Sequence, residues 1–150
     1  DALLAEKLPV TVFGEGWEKY SCGDEHSLRR EPAVPFALSF ERITKAHVLL
    51  NVSPIFNRGM HDRVPAGMAN HAVVLTDENP YLRRTFTDGK ELLFYSLEKP
   101  DTLCEQAERA LTDVRLREKI AASAYETFER EYTWKRRAEQ ILAFAEEVEA

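Results

Sequence analysis

The stretch that decides the fold is VLLNVSPIFNRGMHDRVPAGMANHAVVLTD, residues 48–77. Two apolar runs, residues 48–52 and 72–76, stand near its ends, and a polar loop and a short helical pattern lie between them. Runs that are apolar on both faces are typical of strands buried in a parallel sheet. A strand, a helix and a second strand in this order therefore predict a parallel βαβ unit.

The alternation of strand and helix extends in both directions from this unit. Upstream, the pattern predicts a strand over residues 10–13, an irregular surface segment over residues 17–36, and a short helix capped by Ser39. The central helix is predicted to run from about Asp62 to Asn70, with Asn70 in the left-handed position at its end. Downstream, the pattern predicts a helix over residues 80–86, a turn at 88–89 and a strand over residues 92–95.

The last third of the chain carries apolar residues at helical spacing, and Thr133 is placed to cap the final helix. We expect the apolar stripes of these helices to lie in the core. The pattern as a whole predicts a single domain over residues 1–150 with an α/β fold, a Rossmann-like parallel sheet covered by helices. The expected core positions of the final helix are Trp134, Ala138, Ile141, Leu142, Ala145 and Val148.

Charge and composition exclude several classes of function. The net charge of −6 and the pI near 5.3 argue against a nucleic-acid partner, because the chain repels a polyphosphate backbone. No apolar run approaches the roughly 20 residues of a membrane span. Cys22 and Cys104 lack Cys-x-x-Cys spacing, and the four histidines show no metal-ligand spacing. We therefore expect a cytoplasmic protein with reduced cysteines and no metal site.

Ligands of a parallel α/β sheet gather beyond the carboxyl ends of the strands, so the loops there are the candidate sites. Gly14 and Gly16 follow the first strand and would let a nucleotide approach the backbone closely. The alternative interpretation is a plain turn between a strand and a helix.

The second candidate loop comprises residues 57–63 and ends at the start of a helix, where free N–H groups favour an anion. Arg58 and Arg63 add positive charge suited to a diphosphate. The alternative is that Asp62 caps the helix and both arginines are solvated.

Several stretches resemble, in this order, the C-terminal domain of group 1 glycosyltransferases, most of all the spore-coat-maturation glycosyltransferase-like branch. Phe13-Gly-Glu-Gly-Trp17 is similar to the Gly-x-Gly-Trp loop of that family, and Tyr132-Thr-Trp134 is similar to the start of its closing helix. The other matching stretches are residues 46–54, 59–64, 67–69, 72–77 and 79–80.

The resemblance implies that residues 1–150 are the nucleotide-sugar-binding (donor) domain, the C-terminal half of a GT-B fold, truncated at its N-terminus. A missing N-terminal domain would hold the acceptor, and this fragment alone would be an inactive part of a hexosyltransferase. The resemblance implies a nucleotide diphosphate sugar as co-substrate and no cofactor. His61 would lie nearest the transferred sugar as the catalytic residue, and Gly14 and Gly16 would flank the nucleotide. The residues expected at the diphosphate and sugar are Arg58, Gly59, Met60, Asp62 and Arg63.

The chain departs from the family pattern at one pair of positions. Many group 1 enzymes carry a Glu-x7-Glu pair for the donor sugar and the ribose, whereas Arg58 and Ala66 occupy these positions here. This departure leaves open a second interpretation, a non-catalytic α/β interaction module derived from such a domain. A receiver domain or a P-loop protein is excluded, because the chain has neither an acidic cluster at the first strand end nor a Walker lysine motif.

Overall fold

The computed structural model of the protein describes residues 1–23, 25–53, 55 and 58–149. Within these residues it contains five short strands and seven α-helices. The strands are β1 (Val10–Phe13), β2 (Leu28–Glu31), β3 (Val48–Asn51), β4 (Val73–Asp77) and β5 (Leu93–Tyr95). The helices are α1 (Ala2–Ala5), α2 (Phe36–Ile43), α3 (Arg63–Ala69), α4 (Pro80–Thr85), α5 (Asp101–Thr112), α6 (Val114–Glu131) and α7 (Trp134–Glu149).

The strands form two sheets, and every strand pair is parallel. β1 pairs with β2, and β3, β4 and β5 form a three-stranded sheet in that order. The register places Val48 opposite Val73 and Thr76 opposite Phe94. The predicted α/β architecture of parallel strands covered by helices is therefore confirmed.

β4 is the centre of the molecule, because all five of its residues are buried. On one face, Val74 packs in a cluster with Val64 and Met68 of α3 and with Ala124 of α6. The other face, with Val73 and Leu75, packs against Leu93, Ala107 and Ile120. The alternation of side chains along a strand thus divides the core into two layers, one on each face of the sheet. No helix in the described part of the chain is long and apolar enough to cross a membrane.

The prediction for residues 17–36 was wrong, because this segment contains β2 and a 3-10 turn at Trp17–Lys19. β2 has the sequence Leu-Arg-Arg-Glu, which does not resemble a buried strand. Polar side chains are common in a strand at the edge of a sheet, so the pattern did not reveal it. Ser39 does not cap α2 either. The helix begins at Phe36 after Pro35, and the Ser39 hydroxyl donates to the Phe36 carbonyl at 2.6 Å.

The end of α3 also differs from the prediction. Asn70 has φ −108°, and the left-handed residue is His71, with φ 55°. The Asn70 amide instead donates to the Ala66 carbonyl at 2.8 Å, which satisfies an end carbonyl of the helix. His71 stacks on Tyr125 of α6 with ring centroids 4.3 Å apart, so packing holds the unusual backbone conformation in place.

The expectation that α7 contributes its apolar stripe to the core was wrong. Trp134 is 90% exposed, and Ile141, Leu142 and Val148 are each more than 60% exposed. Thr133 does cap the helix, since its hydroxyl accepts from the Arg136 N–H at 3.3 Å. α7 is therefore an amphipathic helix with a largely uncovered apolar face.

Gly67 of α3 lies so close to the sheet that a side chain at this position would collide with it. A Cβ atom there would meet Val74 Cγ2 at 2.5 Å and Leu49 Cδ2 at 3.0 Å. We predict that Gly67→Ala lowers the free energy of unfolding by about 1–3 kcal/mol, measured by urea denaturation, because the packed core must shift. Gly59→Ala is the control, since its Cβ would meet no atom of the described residues within 4 Å. Equal effects of the two substitutions would contradict this packing.

Candidate functional site

Five polar residues meet at the carboxyl ends of β3, β4 and β5. The parallel pairing of these strands places their carboxyl ends at one edge of the sheet. All five of these residues are buried, each with less than 5% exposure. We call this group the polar cluster; it comprises Asn51, Ser53, Thr76, Asp77 and Tyr95.

Hydrogen bonds within the polar cluster tie the start of the β3–α3 loop to β4 and β5. The Asn51 amide donates to Thr76 Oγ1 at 2.9 Å and to Ser53 Oγ at 3.0 Å. The Ser53 N–H donates to Asp77 Oδ1 at 2.8 Å. The Tyr95 hydroxyl donates to the Asn51 carbonyl at 3.1 Å. Buried polar groups need such partners, so the cluster defines a single position for the chain as it leaves β3.

The structure connects Arg63 to the polar cluster. Its Nε donates to Asn51 Oδ1 at 3.0 Å, and its Nη2 donates to the Val52 carbonyl at 3.4 Å. The guanidinium predicted to bind a diphosphate is thus partly occupied in holding α3 against β3. Its Nη1 atom makes no hydrogen bond to the residues that the structure describes.

The described part of the predicted anion loop, residues 58–62, contacts the core on one side and the start of α4 on the other. Arg58 is exposed, and the Met60 side chain packs against the core cluster of Val64 and Met68. The Gly59 carbonyl accepts from Asn79 Nδ2 at 3.3 Å, and the Asn79 side chain caps α4 by accepting from the Leu82 N–H at 2.8 Å. The Met60 side chain is thus partly engaged in the core and only partly exposed. Asn57 of the predicted loop lies outside the described residues.

The alternative interpretation of the sequence, that the Asp62 side chain caps α3, was wrong. Asp62 makes no capping hydrogen bond with its side chain, and Nδ1 of His61 lies within reach of both the Arg63 N–H and the Asp62 carboxylate. One nitrogen atom cannot accept from the first and donate to the second. The contact with Asp62 is shorter and involves a charged acceptor, so we assign the proton to Nδ1.

Gly14 and Gly16 lie at the end of β1, in the other sheet. Their φ angles are 124° and 90°, which explains why glycine is required in this turn. A Cβ atom on either residue would meet nothing within 4 Å, so the backbone here borders open space. The structure places these glycines and residues 58–63 at the ends of strands in separate sheets.

Burial and a nearby negative charge raise the pKa of one residue in the polar cluster. Burial raises the pKa of the Tyr95 phenol well above its usual value near 10, and the negative charge of Asp77 raises it further. The Tyr95 hydroxyl therefore stays protonated and remains a hydrogen-bond donor to Asn51. Among the described residues, no group of three or more His, Cys, Asp or Glu side chains could hold a metal ion.

The family model described as glycosyl transferase-like matches residues 1–143. The chain belongs to this family. No curated protein matches it closely enough to add a relative by sequence. The predicted resemblance to glycosyltransferases is confirmed at this level.

Solved glycosyltransferase structures share the fold of this glycosyl transferase-like chain. HepE from Anabaena, in complex with UDP, superposes with a TM-score of 0.80 at 12% identity over 98% of this chain and 43% of its own. A glycosyltransferase from Rickettsia africae gives 0.68 at 10% identity over 83% and 32%. The C-terminal domain of the group 1 protein LpcC from Francisella tularensis gives 0.56 at 12% identity over 89% and 92%. The chain thus spans less than half of the length of HepE, and these identities establish the fold alone.

Sequence reasoning identified the loop beyond β3 but missed the polar cluster that supports it. The available signal was a polar residue at the end of each apolar run: Asn51 after Val48-Leu-Leu, and Thr76-Asp77 after Val73-Val-Leu. Tyr95 gave no signal, because a tyrosine at the end of a strand is ordinary core material.

Replacement of Asn51 tests the polar cluster. Asn51→Leu removes the partners of Thr76, Ser53 and Arg63 in a buried environment, so we expect the free energy of unfolding to fall by about 2–4 kcal/mol. Asn70→Leu is the matched control, because Asn70 makes one partly buried bond and should cost about 1 kcal/mol. Urea denaturation measures both, and a smaller loss for Asn51→Leu would contradict the central role of this residue.

The raised pKa of Tyr95 predicts a loss of stability in alkali. A group whose pKa is higher in the folded state binds its proton more tightly there, so its contribution is complete below pH 10 and declines as the pH rises further. We expect Tyr95→Phe to lose about 1 kcal/mol at pH 8, with its hydrogen bond to Asn51, and to show a shallower decline above pH 10. Tyr125→Phe serves as the control in urea denaturation at several pH values. An unchanged alkaline slope in Tyr95→Phe would refute this prediction.

Proposed function

We propose that this chain is the donor-binding domain of a glycosyltransferase that moves a hexose from a nucleotide diphosphate sugar to an acceptor. The observation that carries the proposal is the loop of residues 58–63 at the carboxyl edge of β3, β4 and β5, in a chain of the glycosyl transferase-like family. The edge beyond the carboxyl ends of parallel strands is where open α/β sheets bind their ligands.

The charges of the loop suit a departing diphosphate. Arg58 is exposed in an acidic chain. Arg63 holds Asn51 and Val52 through Nε and Nη2, and its Nη1 bonds to no residue that the structure describes. Negative charge develops on the diphosphate as the bond to the sugar breaks, so fixed guanidinium groups stabilise the transition state more than the ground state. The chemistry needs no further cofactor in this proposal.

We assign His61 and Asp62 to the sugar side of the loop. The contact between the Asp62 carboxylate and Nδ1 orients the imidazole. An imidazole held in this way can exchange a hydrogen bond with a sugar hydroxyl. Gly14 and Gly16, whose backbone borders open space, are assigned to the nucleotide.

A second, acceptor-binding domain is part of the proposal. Exposed large apolar side chains follow the ends of β1, β2, β3 and β5, and others line α7. Apolar patches of this kind mark surfaces that another protein segment covers. HepE is more than twice as long as this chain, which supports the same view. The exposed residues at or after the strand ends are Phe13, Trp17, Phe36, Val52, Ile55 and Leu97. Residues 1–150 alone would then bind a donor weakly and transfer nothing, and a cytoplasmic location completes the proposal.

The second candidate is a non-catalytic interaction module. It is favoured by Arg58 and Ala66 at the positions of the family's carboxylates and by the engagement of Arg63 with Asn51. Such a module would have no reason to keep selective affinity for a nucleotide diphosphate.

Calorimetric titration separates the two candidates. We expect the natural polypeptide that contains residues 1–150 to bind one of UDP, GDP or dTDP, or its sugar conjugate, saturably. Arg58→Ala should weaken binding about ten- to a hundredfold, because a charge-assisted contact is lost. Arg115→Ala removes the same charge near the start of α6, and this variant should bind like the unaltered protein. Absence of binding to all three nucleotides would favour the interaction module, whereas equal binding by both variants would contradict the assigned role of Arg58.

The role of His61 is tested by transfer kinetics with the natural polypeptide and the donor that calorimetry identifies. We expect His61→Gln to lower kcat about 10²- to 10⁴-fold and to leave the donor dissociation constant within a few-fold, since the imidazole acts on the transferred sugar. His47→Gln, which alters a histidine just before β3, should leave kcat unchanged. A parallel loss of donor affinity and kcat in His61→Gln would assign His61 to binding instead.

A further inference from the structure

An exposed carboxylate lies at the carboxyl end of β4, between two buried residues. Glu78 follows Asp77 and precedes Asn79, and its side chain is 41% exposed. The Glu78 N–H donates to the Tyr95 carbonyl at 3.1 Å, which extends the contact of β4 with β5 by one residue. The backbone of Glu78 therefore has a fixed position at the edge of the sheet where the candidate site lies.

The alternation of side chains places Glu78 on the face of the sheet that carries α3. The strand register aligns Asn51, Thr76 and Phe94 in one row across β3, β4 and β5. Phe94 belongs to the core cluster that contains residues of α3, so this row lies on the α3 face. Side chains two residues apart along a strand share a face, so Glu78 follows Thr76 on that side.

The loop of residues 58–63 borders the same face. Met60 of this loop packs against the core cluster on the α3 face. The side-chain amide of Asn79, the residue after Glu78, donates to the Gly59 carbonyl at 3.3 Å. Glu78 and the loop therefore lie at one corner of the candidate site.

Arg83 of α4 holds the Glu78 carboxylate in one orientation. Its Nε donates to Oε2 of Glu78 at 2.8 Å, and its Nη2 donates to the same oxygen. The guanidinium carbon of Arg83 lies 4.3 Å from the centre of the Phe94 ring, which is buried. A guanidinium group is attracted to the face of an aromatic ring, so the buried ring fixes the position of Arg83 and, through it, that of Glu78.

This arrangement leaves one carboxylate oxygen available to a ligand. Both contacts from Arg83 reach Oε2, and Oε1 of Glu78 accepts no hydrogen bond from the residues that the structure describes. An ionised carboxylate only accepts hydrogen bonds, and hydroxyl groups are donors that suit it. A phosphate group is repelled by the negative charge. Neighbouring hydroxyl groups on a sugar ring therefore match this acceptor.

We propose that Glu78 is a specificity-determining residue of the candidate site, and that its carboxylate binds neighbouring hydroxyl groups on a sugar ring of the donor. Arg83 is then a positioning residue, which acts on the donor through Glu78. The inference rests on the proposed function, because it names the part of the donor that this corner of the site recognises. The positive charge of Arg58 serves the diphosphate, and the negative charge of Glu78 serves the hydroxyl groups of the ribose or the hexose.

Calorimetry with two matched variants of the natural polypeptide tests the role of Glu78. The probes are UDP and GDP, their 2′-deoxy forms, and their glucose conjugates. We expect Glu78→Gln to weaken binding about ten- to a hundredfold for the probes whose hydroxyl groups reach the carboxylate, because charge-assisted hydrogen bonds are lost. Glu139→Gln is the control and should bind like the unaltered polypeptide, since Glu139 is 45% exposed and pairs with Arg136 on α7 at 2.7 Å.

The probes distinguish the two sugar rings and the possible failures. A loss with UDP or GDP that is smaller with the 2′-deoxy form assigns Glu78 to the ribose, and a loss confined to the glucose conjugate assigns it to the hexose. Equal losses with a nucleotide and its 2′-deoxy form would overturn the proposal, because they indicate a general disturbance of the site. Unchanged binding of every probe by Glu78→Gln would overturn the proposal and leave the donor domain in place. Absence of binding by the unaltered polypeptide would overturn the proposed function and this assignment together.

The variant Arg83→Lys tests the positioning role. Lysine keeps the positive charge and lacks the planar group that contacts Oε2 and stacks on Phe94. We expect Arg83→Lys to weaken the binding of the same probes as Glu78→Gln, by about three- to tenfold, and to leave the binding of the other probes unchanged. An equal loss with every probe would indicate a merely structural role and would contradict the assignment of Arg83.

Discussion

The buried amide of Asn51 is the interaction on which the rest of the site depends. One side chain without solvent exposure bonds to β4 through Thr76, to its own loop through Ser53, and to α3 through Arg63. An amide can donate and accept at once, so Asn51 donates to the Thr76 hydroxyl and accepts from the Arg63 guanidinium. A carboxylate of the same size could make only some of these hydrogen bonds, and an apolar residue could make none. The position of the loop relative to the sheet therefore depends on a single residue type at the end of β3.

The polar cluster also explains how a buried carboxylate can lie at the edge of a site proposed for an anion. Asp77 is 2% exposed, and its negative charge would oppose a diphosphate if it were uncompensated. The Ser53 N–H donates to its Oδ1, which compensates part of that charge. Arg63 is engaged with Asn51 and Val52, so the exposed Arg58 is the better candidate for direct contact with phosphate in the proposed function.

The sequence allowed the sheet to be predicted better than the site. β1 was predicted at its observed bounds and β4 within one residue, because apolar β-branched runs have few alternatives to a buried strand. β2 escaped prediction since Arg29, Arg30 and Glu31 resemble a loop unless the edge position is known. The polar cluster could not be predicted, because strand register alone brings Asn51 beside Thr76 across 25 residues of chain. The apolar stripe of α7 has the same pattern whether its partner lies inside this chain or outside it.

The departure from the family's carboxylate pair changes the charge of the loop and still leaves polar groups in it. An arginine at position 58 reverses the charge where a carboxylate would accept hydrogen bonds from the donor sugar. A positive group there strengthens the attraction for a diphosphate and removes an acceptor for sugar hydroxyls. In the proposed function, acceptors for those hydroxyls would have to come from nearby groups, and the exposed carboxylate of Asp62 is one that the loop offers. The pairing of Asp62 with His61 matters for the same reason, because this contact holds the carboxylate and the imidazole together in the loop.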